Sequence, residues 1–391
     1  MITVTTADKA LKTLYLGVIT EQLNTETNPF LAKIKQTTQD VWGKEIRRAV
    51  QYGINGGFSS GTETGALPMA SSNKYEQFAL TLKNLYGTIE ISDKAIRASE
   101  NNVGAFVNLL NAEMEGLLKA SSFNFGRMLF GDGKGFLATV KSIDENGVIT
   151  VDSVKNLADG MIVDFYSASE TQISTAYGRK VYNVDRANKT FCVNGSKVDA
   201  GDVPAGSFVC VQGSYGQEIT GLKAIFKDSG SIYGLDRSDK KWLVPYMKSS
   251  VGDITDTVIQ TAIDTVEENS GSRINFILCS SGVKRAYQNY LNTYKRNVDV
   301  MDLRGGYKAI SYNGIPVVSD RFCPEGTMYL LNTDDFVLHQ LCDWQWLEGE
   351  DGRILRQIPG KAAYSATLVK YADLICTRPC GQAMLSGVTE K

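Results

Sequence analysis

The spacing of apolar positions changes several times along the chain, and each change predicts a different element. Residues 1–40 place Leu11, Leu14, Tyr15, Val18 and Ile19 at helical steps. Thr6 precedes them as an N-cap and Asp8 suits the first turn. Pro29 then disfavours helical geometry at Asn28 and closes the pattern. The stripe is narrow and has no partner nearby in sequence, so it predicts an arm that docks on another domain or another chain.

Alternation takes over in "VWGKEIRRAVQY", residues 41–52, with Ile46, Arg48, Val50 and Tyr52 on one side and Glu45, Arg47 and Ala49 on the other. It returns in "KYEQFALTL", where Tyr75, Gln77 and Ala79 face away from Glu76, Phe78, Leu80 and Leu82. Between them lies a tract of about 20 residues rich in Gly, Ser, Thr and Asn, a length that marks a functional loop, a linker or a disordered segment. The pattern predicts an extended hairpin. Two isolated strands are barely stable in water, so the hairpin needs a surface to lie on, and a neighbouring subunit is the expected one.

The strongest helical signal runs over 93–131. Asn101 or Asn102 is a candidate cap, and Val103, Phe106, Val107, Leu110, Met114, Leu117, Leu118, Phe125 and Met128 recur at steps of three and four. A rod of about 40 Å follows from a rise of about 1.5 Å per residue. Gly131, in "FGDGKG", is the expected left-handed stop.

From 135 to 217 the texture becomes short β runs separated by turns such as "ENG" and "VNG", which predicts a compact all-β module placed inside the chain. Residues 251–345 read as α/β. "ITDTVIQTAIDTVEENSGSR" is helical with Val258, Ala262, Ile263 and Val266 on one face, and "INFILCS" suits a strand buried on both sides. "SGVKRAYQNYLNTYKR" is helical, "YKAISYNGIPVVSD" is a hairpin around Asn313-Gly314, and "GTMYLLN" and "FVLHQL" add strands. The tail returns to β texture in "RILRQIPG" and "AYSATLVKYADLICTRP".

Composition narrows the function. The 391 residues allow two or three domains, and 43% hydrophobic with 21% charged residues is ordinary for a folded soluble protein. A net charge of −2 gives no basic excess for wrapping nucleic acid. His339 is the sole histidine, which argues against hydrolase triads and zinc chemistry. The seven cysteines form no CxxC pair, Cys376 and Cys380 being closest, and read as reduced structural thiols. No apolar run approaches about 18 residues, so no membrane partner is expected.

Chemical motifs are sparse. There is no GxxxxGK[ST] phosphate loop, and "GDGKG" at 131–135 precedes no helix. "GFSSG" lacks the buried strand and following helix of a nucleophile elbow. The acidic "LEGEDG", with Glu348, Glu350 and Asp351, lacks the alternating ligands of a calcium loop and reads as a solvated turn. Tyr287, Tyr290 and Tyr294 stand beside basic residues, but at helical spacing they form a packing stripe. His339 reads as a half-buried strand residue.

Taken in order, the arm, hairpin, long helix, β insertion, α/β domain and returning strands resemble the major capsid protein of tailed bacteriophages, a fold also seen in the herpesvirus shell floor. "WGKEIRRAVQYGINGGFSSGTETGALP", "LKNLYGTIEISDKAIRAS", "FVNLLNAEMEGLLKASSFNFGRMLFGDG" and "YNGIPVVSDRFCPEGTMYLLNTDDF" carry the likeness, which spans nearly the whole chain except the β insertion. It implies an α+β fold with an N-terminal arm at 1–40, an extended hairpin loop at 41–83 and a peripheral domain with a spine helix at 84–134. An all-β insertion domain at 135–217, more peripheral domain at 218–250, an axial domain at 251–345 and peripheral C-terminal strands at 346–391 complete it.

The resemblance also implies a function. Copies of the chain would form pentamers and hexamers and close an icosahedral or prolate head around double-stranded DNA, a virion capsid assembled in the host bacterial cytoplasm. No catalytic, cofactor or metal site is expected. Contacts with neighbours would fall on Ile54, Phe58, Leu67, Met69 and Tyr75 of the loop and on Leu11, Leu14, Tyr15 and Phe30 of the arm. Expected partners are a separate scaffolding protein, since the arm follows Met1 almost at once, a portal, DNA held by weak non-specific contacts, and a decoration protein or host glycan at the insertion.

Some family members join subunits by an isopeptide bond between a loop lysine and a peripheral-domain asparagine. Lys74 offers the first, but 350–391 contains no asparagine, so no such bond is expected. The alternatives are an encapsulin-like compartment of the same fold and an α/β enzyme with a β-rich binding insert.

Overall fold

Ala363–Cys376 is a 14-residue strand, and it organises one half of the molecule. In the computed structural model, which describes residues 28–39, 41, 45–94, 103–294, 300–302, 308–349 and 352–390, Phe336–Trp346 pairs along one edge of it and Lys83–Ser92 along the other, both antiparallel. Arg356–Gln357 pairs near its start, and Lys35–Thr37 adds a parallel strand beyond Phe336–Trp346.

Helix α1 (Val103–Met128) packs over one face of this sheet. Met114, Leu118, Phe125 and Met128 join Leu85, Ile89, Ala366 and Leu368 in a single apolar core. Gly87 makes the approach close enough: a Cβ there would lie 2.8 Å from a Leu117 methyl. The expected helix is therefore present at Val103–Met128. The candidate caps Asn101 and Asn102 and the side chains before Glu113 lie outside the described residues. Its stop differs from expectation. The last turn tightens, Phe130 and Gly131 donating to the carbonyls three residues back at 3.0 Å each, and the left-handed glycine is Gly133 at φ +83°.

Seven strands form the second sheet, in the spatial order Tyr246–Lys248, Ala383–Leu385, Met328–Leu331, Phe276–Cys279, Ile315–Ser319, Lys308–Tyr312 and Val300–Asp302. Phe276–Cys279 lies inside it and is buried along its whole length, as its unbroken apolar run demands. The turn at Asn313 (φ +48°) and Gly314 (φ +80°) has the double positive φ that Asn-Gly favours in a two-residue hairpin. Helix α2 (Asp256–Ser270) is capped by Thr255, which accepts from the Val258 N–H, and ends at Gly271 with φ +65°. Helix α3 (Ser281–Tyr294) buries Tyr287, whose hydroxyl donates to Asp256 at 2.9 Å. Tyr287 and Tyr290 stack on each other, which is the packing role expected of them.

Boundaries drawn from texture at 250 and 345 cut across both sheets. Phe336–Trp346 belongs with α1, while Tyr246–Lys248 and Ala383–Leu385 belong to the seven-stranded sheet. Strand pairing between segments far apart in sequence decides membership, and local pattern carries no trace of it.

The region 136–211 closes on itself as a six-stranded barrel, with Phe208–Val211 pairing both Phe136–Ile143 and Ile162–Tyr166. Its own core holds Val140, Val163, Phe165, Val181, Phe191 and Val209, each 1% exposed or less. Closure removes exposed strand edges, which is how so short an all-β segment avoids pairing with other chains. Among the described residues, no helix is long and apolar enough to cross a membrane.

Candidate assembly surface

Ile46–Gly53 and Lys74–Leu80 form the expected hairpin, in one register from Ile46 opposite Leu80 to Gln51 opposite Tyr75, with a bulge before Gly53 pairs with Lys74. Their buried faces, Ile46, Val50, Phe78 and Leu80, belong to the chain's own main core. Phe78 packs between Tyr233 and Trp242 at 5.1 and 5.7 Å, and Tyr52 stacks on Trp242 at 5.3 Å with the rings only 7° apart. The Ala79 N–H donates to the Tyr233 carbonyl at 3.0 Å, and Lys240 forms an ion pair with Glu76 and sits over the Tyr52 ring. The expectation that the strands lie on a neighbouring subunit is thus corrected: their mate is the segment 231–242 of the same chain. Sequence reading missed this platform. Its signal was a Tyr and a Trp in a stretch whose only elements are a two-residue-per-strand hairpin and a single 3-10 turn.

Beyond Gly53 the picture reverses. Residues 54–73 form no strand or helix, and their hydrogen bonds are local, such as the Gly57 N–H to Asn55 Oδ1 at 2.9 Å. Ile54, Phe58, Leu67 and Met69 are 86%, 93%, 91% and 89% exposed. Tyr75, at the root of the tip, is 58% exposed. Covering a large apolar side chain contributes about 1.5–3 kcal/mol, so four of them offer on the order of 6–12 kcal/mol to any surface that receives them. "GFSSG" lies within this exposed tip, where no elbow geometry exists.

The arm residues divide. Leu11, Leu14 and Tyr15 lie outside the described residues. Phe30 is fully buried in its own chain, edge-on to Phe336 at 5.3 Å, so its expected role in meeting a neighbour is corrected. Asn28 explains its placement: the side-chain oxygen accepts from the N–H groups of Phe30 and Leu31 at 3.1 Å each and bends the chain into the core.

Buried charges hold the body in register. Arg127, at the end of α1, makes a two-pronged bond to Glu218 at 2.5 and 2.8 Å, with both side chains below 5% exposed. Lys370 is fully buried between Phe125 and Trp344 and donates to Asp343 and Gln340 at 2.6 and 2.7 Å. Burial pulls its pKa down, and Asp343 opposes that. Lys134, from "GDGKG", pairs with Glu170. His339 is buried in Phe336–Trp346, with Arg48 at 3.5 Å from its ring. The cysteines are free thiols, and Cys210, Cys279, Cys323 and Cys376 are buried. Glu350 and Asp351 lie outside the described residues, among which no group of His, Cys, Asp and Glu could hold a metal ion.

Asp320 is buried and only half paired. One oxygen accepts from the Phe322 N–H at 2.8 Å, and the other has no partner. Burial pushes its pKa from an ordinary 3.8 up to about 6, against the Phe322 hydrogen bond and the charges of Lys155 and Arg321. The folded state therefore keeps a proton that the unfolded chain releases between those two values. Stability falls as pH rises through that window, by roughly 3 kcal/mol at most, and the loss persists at neutral pH. Asp320→Asn is expected to raise the denaturation midpoint at pH 7 while changing it little at pH 4. Equal shifts at both pH values, read by chemical denaturation, would contradict this.

No protein-family model matches the sequence, and no curated protein does. Solved structures do. The capsid subunit of cyanophage A-1(L) is 14% identical and superposes with a TM-score of 0.57 over 94% of each chain. The encapsulin of the holo-SrpI complex from Synechococcus elongatus is 12% identical over 95% of each chain with a TM-score of 0.46. The capsid of a native GTA particle is 10% identical, covering 92% of this chain and 89% of that one, with a TM-score of 0.47. The first superposition, with the two sheets, the long helix and the hairpin described above, gives this chain the fold of a phage capsid subunit, the fold its sequence resembles.

Proposed function

We propose that the chain is the major capsid protein of a tailed phage, a structural subunit that assembles with its own copies into pentamers and hexamers and closes a head around double-stranded DNA. The observation that carries this reading is the hairpin: its base is fastened to its own body, and its tip holds four large apolar side chains away from it. A tip so built suits a surface on a second copy. Five glycines, from Gly53 to Gly65 inclusive, let one sequence fit slightly different neighbours around five-fold and six-fold axes. Contacts of this head-to-tail kind close into rings, and many modest contacts per subunit give cooperativity through avidity.

In this reading α1 is the spine of the peripheral domain, the seven-stranded sheet is the axial domain and the barrel is an insertion. A net charge of −2 suits a wall that faces packed DNA without gripping it. A scaffolding protein and a portal complete the proposed set of partners. Electron microscopy of the purified protein, expressed with its genomic neighbours, tests the reading. Closed shells of uniform size holding DNA are expected. Shells that hold protein cargo and no DNA would favour the compartment reading, and a small soluble oligomer with turnover would favour an enzyme. Lys74 is exposed on the hairpin, yet 350–391 offers no asparagine, so such particles should yield single-subunit bands on a denaturing gel. A ladder of covalent multimers would contradict that.

A further inference from the structure

Three parts of the fold meet at the loop Asp320–Glu325. The loop continues the strand Ile315–Ser319, and the Asp320 N–H donates to the Cys279 carbonyl at 3.0 Å, so its root moves with the seven-stranded sheet. Its next residue but one fills a notch in α1: a Cβ at Gly126 would lie 2.6 Å from the Phe322 ring. Phe123 meets the same ring edge-on at 5.3 Å, and the Arg321 guanidinium lies over both rings at 5.1 and 5.0 Å. The barrel supplies the third contact, with Lys155 Nζ donating to the Cys323 carbonyl at 2.6 Å. Between barrel and loop runs a cleft of about 430 Å³, walled in part by Phe136, Phe208, Phe322 and Pro324.

The barrel is also clamped where the chain enters and leaves it. Lys134 on the incoming side and Tyr215 on the outgoing side both bind Glu170 of the barrel. The Gly216 N–H donates to the Lys134 carbonyl at 3.2 Å, which ties the two linkers together. Just outside them the buried pair Arg127–Glu218 fixes the outgoing linker to the end of α1. The barrel is thus anchored to α1 at its linkers and bears on the loop at a separate point, Lys155.

We propose that the barrel is a lever: by holding the Cys323 carbonyl through Lys155 it seats Phe322 in the Gly126 notch and so sets how α1 meets the seven-stranded sheet. A load on the barrel wall would then be felt at the joint between the two sheets, and a change at the joint would be felt in the barrel. Reciprocity of this kind is a thermodynamic necessity for coupled sites and gives the test its second arm.

Hydrogen exchange read by mass spectrometry on the full-length protein tests the lever. Lys155→Met keeps the apolar stem and removes the donor. It is expected to speed exchange about tenfold in peptides covering 320–326 and 123–129 while leaving the barrel strands Ile162–Tyr166 and Thr190–Val193 unchanged. Lys155→Arg should restore protection. Phe322→Leu, which loosens the notch from the other side, should speed exchange at 153–157 within the barrel. The proposal is overturned if Lys155→Met alters the barrel alone or nothing at all, or if Phe322→Leu leaves 153–157 as protected as before.

Discussion

Replacing Glu218 by alanine is expected to cost about 3–5 kcal/mol of stability, because it strands a buried guanidinium. Arg127 lies at the last turn of α1 and is 4% exposed, its Nε held by Asn124 at 3.0 Å and its two terminal nitrogens by Glu218. A favourable pair is not required to explain the cost, since desolvating both charges consumes much of what their attraction returns. The double variant Arg127→Leu with Glu218→Leu should therefore cost less than about half of what the single one does. Chemical denaturation of the three proteins decides this. A double variant at least as damaged as Glu218→Ala would mean that packing around Gly135, which a Cβ would bring within 3.3 Å of the Glu218 carboxylate, matters more than charge.

The second large effect falls on assembly and spares the fold. Phe58→Asp with Met69→Asp changes two side chains that stand almost entirely free of their own chain, being 93% and 89% exposed. Stability of the free subunit should move by no more than about 0.5 kcal/mol, as for other surface changes. Losing two buried apolar groups per contact, at about 1.5–3 kcal/mol each, should raise the concentration needed for assembly by two to four orders of magnitude. Light scattering against concentration reads this directly. Phe78→Ala is the converse control. That ring is fully buried against Tyr233 and Trp242, so its loss should destabilise the subunit by about 3–5 kcal/mol.

What could be read from residues follows from the range of the forces involved. The alternation of Ile46 and Val50, the turn at Asn313-Gly314 and the stripe from Met114 to Met128 are local patterns, and each element formed where its pattern lay. The barrel strands were equally legible, since each β run ends in its own turn signal. Closure of those strands into a barrel was not, because it depends on Phe208–Val211 finding Ile162–Tyr166 some 40 residues away. The same limit explains why Phe336–Trp346 and Ala383–Leu385 were grouped with their sequence neighbours and not with their sheets.

The exposure of the hairpin tip was legible for a simple reason. Apolar residues scattered in a Gly- and Ser-rich tract, with no period, have no face to bury on, and Ile54, Phe58, Leu67 and Met69 are indeed uncovered. Phe30 had the same look in sequence, but Asn28 turns the chain inward and seats it beside Phe336. Nor did the spacing of Tyr233 and Trp242 reveal a platform, because two rings that face one docking partner need no periodicity.

The central claim is that the hairpin tip is covered by a second copy. Assembled protein made from equal parts of ¹⁴N and ¹⁵N subunits, with a photo-crosslinking residue in place of Phe58, tests it. The account predicts crosslinked peptides of mixed isotope joining residue 58 to the body of another chain. Crosslinks confined to a single isotope, joining residue 58 to its own chain, would contradict it.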